Sequence, residues 1–310
     1  MKDTILYGDC RNTLKTITEK CQVCVTSPPY YGLRNYGNED DQIGMEQTPE
    51  EYIQQLVEVF RSVRDVLSDD GTLWVNIGDT YYNYRSDGNY PKQSVSKTNQ
   101  DLPSFTPVRG NKFKNLKSKD LIGIPWMLAF ALRQDGWYLR QDIIWNKPNP
   151  MPESVRDRCT KSHEYIFLLS KSKKYYYDNE SIKEKAKGER WGKNTPINME
   201  NTKDTDNQFS GLTRPRKMVY EKKNKRSVWT VTSKPFKGSH FATFPPELIT
   251  PCILAGSREN DIILDPFMGS GTTAMVAKEL GRHYIGCESV SYTHLTLPTK
   301  RIEYISVGAV

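Results

Sequence analysis

No apolar run in the 310-residue chain approaches the roughly 20 residues that a membrane-spanning helix needs. The opening MKDTILYGDC lacks the apolar stretch of a secretory signal. The sequence therefore reads as that of a soluble, cytoplasmic protein. Cysteine is sparse, six residues at 10, 21, 24, 159, 252 and 287. Cys21 and Cys24 form a lone CxxC, and neither a second pair nor a His-x-His partner completes a zinc site, so no metal is expected. Cys24 falls in the alternating run leading to Val25 and reads as a buried, reduced strand thiol. Apolar residues are also in short supply, at 36% with a mean hydropathy of −0.69. A chain this long can bury a full core, so the low figure implies long polar insertions around an ordinary interior.

The net charge is +7, unevenly placed. Residues 183–237 hold fifteen Lys/Arg against six Asp/Glu, together with Trp191, Phe209, Tyr220, Trp229 and Phe236. Basic residues interleaved with aromatics suit a polyanion with stackable bases, and Lys222, Lys223, Lys225 and Arg226 are the densest run. A solvated insertion would look similar from composition alone. A second polar stretch, about 84–120, has eight Lys/Arg and three Asp and reads as a long loop.

Elsewhere, short apolar segments alternate with amphipathic ones. Strands are expected at TILYGD, QVCVTS, TLWVNIGD, YLRQDIIWNK, HEYIFLLSKS, DIILDPF and HYIGCE. Helices are expected at TPEEYIQQLVEVFRSVRDVLSDDG, LIGIPWMLAFALRQDG, FPPELITPCILAG and TTAMVAKELG. In the first helix Thr48 caps, Pro49 opens the first turn, and Asp70-Gly71 is the expected stop. Strands alternating with helices predict an α/β fold with a doubly wound, mostly parallel sheet.

Two joints carry chemistry. Val25-Thr26-Ser27-Pro28-Pro29-Tyr30 ends a strand with two prolines, which remove two backbone donors and fix two φ angles. The carbonyls there are stiffly held, and no amide of the segment can pair them. At the second joint a buried strand runs through Asp265-Pro266-Phe267-Met268-Gly269-Ser270-Gly271 directly into a helix. Glycines allow close backbone approach, and a helix N-terminus offers free amides. Glu288 ends the next strand 23 residues after Asp265, where an acid can accept both hydroxyls of a ribose. Thr272 stands where a phosphate-binding P-loop needs lysine, so a nucleoside cofactor fits better than a nucleotide phosphate.

TSPPYYG followed far downstream by DPFMGSGTT resembles the beta-class DNA amino-methyltransferases, with both motifs in that family's permuted order, over Ile5 to about Glu288. The resemblance implies a Rossmann-like methyltransferase sheet, S-adenosyl-L-methionine as cofactor and double-stranded DNA as substrate, with a cognate restriction endonuclease as a possible partner. It implies a catalytic group of Ser27, Pro28, Pro29 and Tyr30. The Ser27 hydroxyl and Pro28 carbonyl would hold the hydrogens of an exocyclic amine, and Tyr30 would stack on a flipped base. It implies cofactor contacts at Asp9, at Thr243 and Phe244 before the second motif, and at Asp265, Pro266, Phe267, Gly269, Gly271, Thr272 and Glu288. Residues 1–182 would be the catalytic part, 183–237 the target-recognition insertion and 238–288 the cofactor-binding part.

Serine at the first motif position favours cytosine N4 as the target, since a hydroxyl is a weaker acceptor than a carboxylate. Adenine N6 stays open, as does a DNA-binding protein that keeps the fold without catalysis. The related Asn-Pro-Pro-Tyr enzymes, which act on protein glutamines, differ in that residue and in motif order. From about Ser289 onward, VSYTHLTLPT and ISVGAV resemble one reading frame of a transposase adapter for shotgun libraries. Residues 289–310 are therefore expected to be a non-native tail with little order.

Overall fold

The computed structural model describes residues 1–32, 42–82, 115–186, 221–233 and 244–289. The tail expected from about residue 289 lies, from 290, outside the described residues. The chain divides into two compact units, Met1–Asp178 with Arg226–Val310, and Asn179–Lys225.

The larger unit is built on one sheet. Its strands are β1 (Thr4–Tyr7), β2 (Cys21–Thr26), β3 (Leu67–Ile77), β4 (Tyr138–Asn146), β5 (His163–Ser170), β8 (Val228–Thr230), β9 (Ile262–Asp265) and β10 (His283–Glu288). The strand order is β1-β10-β9-β2-β3-β5-β4-β8. Every neighbouring pair is parallel except at β5, which runs antiparallel to both β3 and β4. From β9 the chain winds outward to β10, and from β2 it winds the other way to β3. The β9/β2 boundary is thus the point where the winding reverses, and parallel sheets bind ligands at the carboxyl ends of strands there.

The helices are α1 (Cys10–Thr13), α2 (Pro49–Val66), α3 (Ile124–Gln134), α4 (Pro246–Gly256) and α5 (Thr272–Glu279). They cover both faces, as the continuously buried strands of a parallel sheet require. Cys24, Leu73, Leu264 and Ile285 join Leu56, Phe60 and Leu128 of α2 and α3 in one core. On the opposite face α4 lies so close that a Cβ at Gly256 would meet Val23 Cγ2 at 2.8 Å and Trp74 Nε1 at 3.2 Å. Cys21 and Cys24 are both fully buried in β2. Among the described residues no helix is long and apolar enough to cross a membrane.

α2 begins as expected, with a capping box between Thr48 and Glu51 and Pro49 in the first turn. Its end differs from the expected stop at Asp70-Gly71. The helix closes at Val66, because Leu67 is already extended, fully buried and paired with Cys21. Gly71 instead lets the strand pass close to its neighbour, since a Cβ there would sit 3.1 Å from the Gln22 carbonyl.

The smaller unit contains an antiparallel pair, β6 (Glu184–Lys185) and β7 (Lys222–Lys223), with Glu184 opposite Lys223. The insertion drawn from composition at 183–237 extends beyond this unit. Val228–Thr230 belongs to the main sheet, paired with β4, and Trp229 is 5% exposed with its indole donating to the Arg226 carbonyl. Composition marks an aromatic among lysines but not whether its ring is buried.

Candidate active site

The two joints singled out in the sequence meet at the β9/β2 boundary. Thr26, the last residue of β2, donates its hydroxyl to Asp265 Oδ1 at 2.6 Å, and Thr273 of α5 donates to Oδ2 at 2.6 Å. The Phe267 amide also donates to Oδ1, at 3.0 Å. Asp265 is 2% exposed, and burial, only partly offset by these donors, pushes its carboxyl up to about 6. Its side chain therefore ties the strand that presents Ser27 to the turn that follows β9.

That turn has the shape of a cradle. Gly269 and Gly271 take φ of +53° and +82°, values that side chains rarely tolerate. Among the described residues, an added Cβ at Gly269 would meet only the Phe267 carbonyl, at 3.8 Å, so those residues leave room above the turn. The Gly269 amide donates to Glu288 Oε2 at 2.7 Å, which holds the carboxylate at the end of β10 beside it. Beneath, Met268 packs directly on Gly286, where any Cβ would collide with its Cε. Pro266 is buried, Phe267 packs against the main core, and Thr272 Oγ1 lies 3.2 Å from Ser270 Oγ. Phe244 is half-buried two residues before α4; Thr243 lies outside the described residues. Asp9 caps α1 through the Arg11 amide and holds the Arg11 guanidinium. Burial alone would raise its carboxyl, but the bonds from Arg11 outweigh burial and hold it below the ordinary value.

The catalytic stretch is braced from two directions. Tyr52 of α2, fully buried, donates its hydroxyl to the Pro29 carbonyl at 2.7 Å, so one of the two stiff carbonyls is paired. Among the described residues none donates to the Pro28 carbonyl. The Tyr30 ring lies against Gly78, just past β3, where a Cβ would stand 2.8 Å from its Cε2. The Tyr30 hydroxyl donates to Glu164 Oε2 at 2.7 Å, with Asn76 Oδ1 3.4 Å away. Burial, followed by the Glu164 charge, drives the Tyr30 phenol well above its usual range.

Sequence reading missed the residues behind Tyr30. Lys147, just past β4, pairs with Glu164 Oε1, and Asn76 of β3 donates to Glu164 Oε2 at 3.3 Å. Asp79 accepts the Gly123 and Ile124 amides at 3.0 and 3.1 Å, fixing the start of α3 on the same sheet edge. The available signal was a charged residue at the end of an otherwise apolar strand: Lys147 after IIWN and Glu164 opening EYIFLLS. The basic candidates divide differently. Lys222 and Lys223 form β7, while Lys223 and Lys225 sit 4.0 and 3.8 Å from Glu184.

A family model described as DNA methylase, for the N6 and N4 amino enzymes, matches residues 21–295. This chain belongs to that family. The methylase is 48% identical to the Type II methyltransferase M.SmaI of Serratia marcescens, over 96% of this chain and 90% of that one. It is 46% identical to M.Cfr9I of Citrobacter freundii, over 92% and 83%. Among solved structures it resembles the PvuII DNA methyltransferase (cytosine-N4-specific) with a TM-score of 0.62, at 16% identity over 97% of this chain and 86% of that one. It resembles M1.HpyAVI in complex with S-adenosylmethionine with a TM-score of 0.53, at 18% identity over 96% and 98%. The methylase uses S-adenosylmethionine. The open glycine turn, with an acid at the end of the adjoining strand, fits that group.

Proposed function

We propose that this methylase modifies the N4 amine of a cytosine flipped out of a specific site in double-stranded DNA, as the modification partner of a cognate restriction endonuclease. The observation that carries the reading is the pair of neutral acceptors at the end of β2. Ser27 and Pro28 follow directly on Thr26, whose bond to Asp265 ties the end of β2 to the glycine turn, and among the described residues none donates to the Pro28 carbonyl. The PvuII enzyme is named as cytosine-N4-specific, and the relatives named Type II methyltransferases support a restriction-modification setting.

S-adenosylmethionine, when bound, supplies an electrophilic methyl group on a sulfonium. The chain's own work is to prepare the nucleophile. An exocyclic amine is weak because its lone pair is delocalised into the ring. Ser27 Oγ and the Pro28 carbonyl accept hydrogen bonds from its two N–H groups, which favours a pyramidal nitrogen with its lone pair free for the methyl group. The prolines and the Tyr52 bond fix that geometry in advance. Tyr30 offers its ring to the flipped base. Gly269, Gly271 and Glu288 would hold the nucleoside end of the cofactor, and Thr243 and Phe244 would contact its methionine end. Asp265 and Pro266 shape the turn between cofactor and Ser27. Lys222, Lys223, Lys225 and Arg226 contact phosphate.

Duplex DNA incubated with the purified protein and S-adenosylmethionine, then digested to nucleosides and resolved by mass spectrometry, tests the reading. N4-methylcytosine is the expected product. N6-methyladenine would refute the base assignment, and cofactor binding without either product would favour a DNA-binding protein that has lost catalysis.

A further inference from the structure

Flipping a base out of a duplex leaves a gap in the stack, and the gap has to be held open while the amine is methylated. We propose that Met151 does this, as a fixed apolar wedge that enters the duplex beside the flipped base. This inference rests on the reading that Ser27 to Tyr30 receive a base taken from double-stranded DNA.

Met151 stands on the loop between β4 and β5, in the run Lys147-Pro148-Asn149-Pro150-Met151-Pro152-Glu153. Because β5 is antiparallel to both β3 and β4, β4 ends at the same sheet edge as β2 and β3, and the loop leaves from there. The Lys147 amide closes the base of the loop by donating to the Ser162 carbonyl at 2.8 Å. Lys147 and Tyr30 both bond to Glu164, which puts that base beside the Tyr30 side chain. Four residues of chain reach at most about 14 Å, which bounds the distance of the Met151 backbone from that of Lys147.

The Met151 residue is 85% exposed, and the next most exposed of the large apolar residues described, Val228, stands at 56%. A single exposed methionine on a slack loop would be ordinary. This one is held from both sides. Two residues before it, Asn149 Oδ1 accepts from the Ser233 amide and hydroxyl at 3.0 and 3.1 Å, and Asn149 Nδ2 donates to the Ser233 carbonyl at 2.9 Å. Two residues after it, Glu153 Oε2 accepts from Arg158 at 2.6 Å and from the Lys161 amide at 3.3 Å. Arg158 in turn lies over the Tyr81 ring. Between these ties Pro150 and Pro152 fix φ on either side of the methionine. A loop ordered in advance has little left to order when DNA arrives. Stiffly held in water, the apolar side chain gains nothing, whereas between base faces it leaves water. Methionine is unbranched and polarisable, and it is among the residues that part base steps in proteins that distort DNA. Arg156, exposed on the same loop, suits a flanking phosphate.

A substrate whose target pair is already broken separates a wedge from other roles. The methylated site is first located by sequencing the modified bases of DNA treated with the wild-type protein. Single-turnover transfer of a tritiated methyl group is then measured on a fully paired duplex and on one in which the target base is mispaired. Wild type, Met151→Ala and Met151→Leu are compared, with melting temperature, cofactor affinity and sedimentation followed alongside. Met151→Ala should be slowed about 10-fold on the paired duplex, a part of the cost of unstacking a base. On the mispaired duplex, where extrusion costs less, it should be slowed less than about twofold. Met151→Leu should keep most of the wild-type rate. Equal slowing on both duplexes would overturn the proposal, since the methionine would then act on something other than base opening. An unchanged rate on both would overturn it too, and a change in sedimentation with it would show that Met151 meets protein rather than DNA. No transfer by the wild type at the first step would overturn the reading of the site and the wedge together, so the two failures are told apart. Tritium counting is indifferent to which base is methylated, so an error in the cytosine assignment leaves this result standing.

Discussion

Replacing Asp265 with asparagine tests how the two joints are held together, and pH gives the test its sign. In the folded protein the carboxyl titrates at about 6 rather than near its ordinary 3.8, because burial outweighs the donations from Thr26, Thr273 and Phe267. A folded value raised above the unfolded one means that ionisation opposes folding. The contribution of this group is therefore full below about pH 4 and declines as pH rises through about 6. A displacement of that size corresponds to about 3 kcal/mol, comparable to a substantial part of a domain's net stability. Asparagine cannot ionise, yet it can keep the local bonds. Its oxygen can still accept from Thr26 and the Phe267 amide, and its NH2 faces Thr273, whose hydroxyl can turn to accept. Urea denaturation at a series of pH values between 4 and 8 reads both proteins. The asparagine variant should gain on wild type as pH rises from 4 to 7, by up to about 3 kcal/mol, and the gap should then level off. A difference that stays flat across the range would refute the reasoning, since the carboxyl would then titrate where an exposed aspartate does.

Two further outcomes follow from the site as built. Glu288→Ala should weaken S-adenosylmethionine binding by about 1.5–3 kcal/mol, the worth of a charge-assisted hydrogen bond, and unchanged calorimetric affinity would mean that the ribose lies elsewhere. Neutralising Lys222, Lys223, Lys225 and Arg226 together should flatten the salt dependence of DNA binding. Each lost phosphate contact removes about 0.9 from the slope of log K against log salt. Because Lys223 and Lys225 flank Glu184, the expected change is smaller than the nearly 4 that four full phosphate contacts would give. An unchanged slope would show that these residues do not touch phosphate.

The sequence by itself determined the elements and the two joints. Short continuous apolar runs placed β2, β9 and β10, and period-3.6 patterning placed α2 and α5, because burial on two faces of a parallel sheet leaves an unbroken apolar record. The prolines of Ser27 to Tyr30 and the glycines of Gly269 to Gly271 announced themselves because each fixes local backbone geometry, which is written in consecutive residues. What lies across the sheet is not so written. Thr26 and Asp265 are separated by 239 positions, and Tyr30 and Glu164 by 134, yet each pair is hydrogen-bonded. Nothing in the local sequence of β5 tells that it would run antiparallel between β3 and β4 and so bring the first residues of β5 to the edge where the other strands end. That reversal sets Glu164 and Lys147 behind Tyr30. Strand order and direction are settled by how the whole set of apolar faces packs, and so the charge behind Tyr30 was decided only by the tertiary structure.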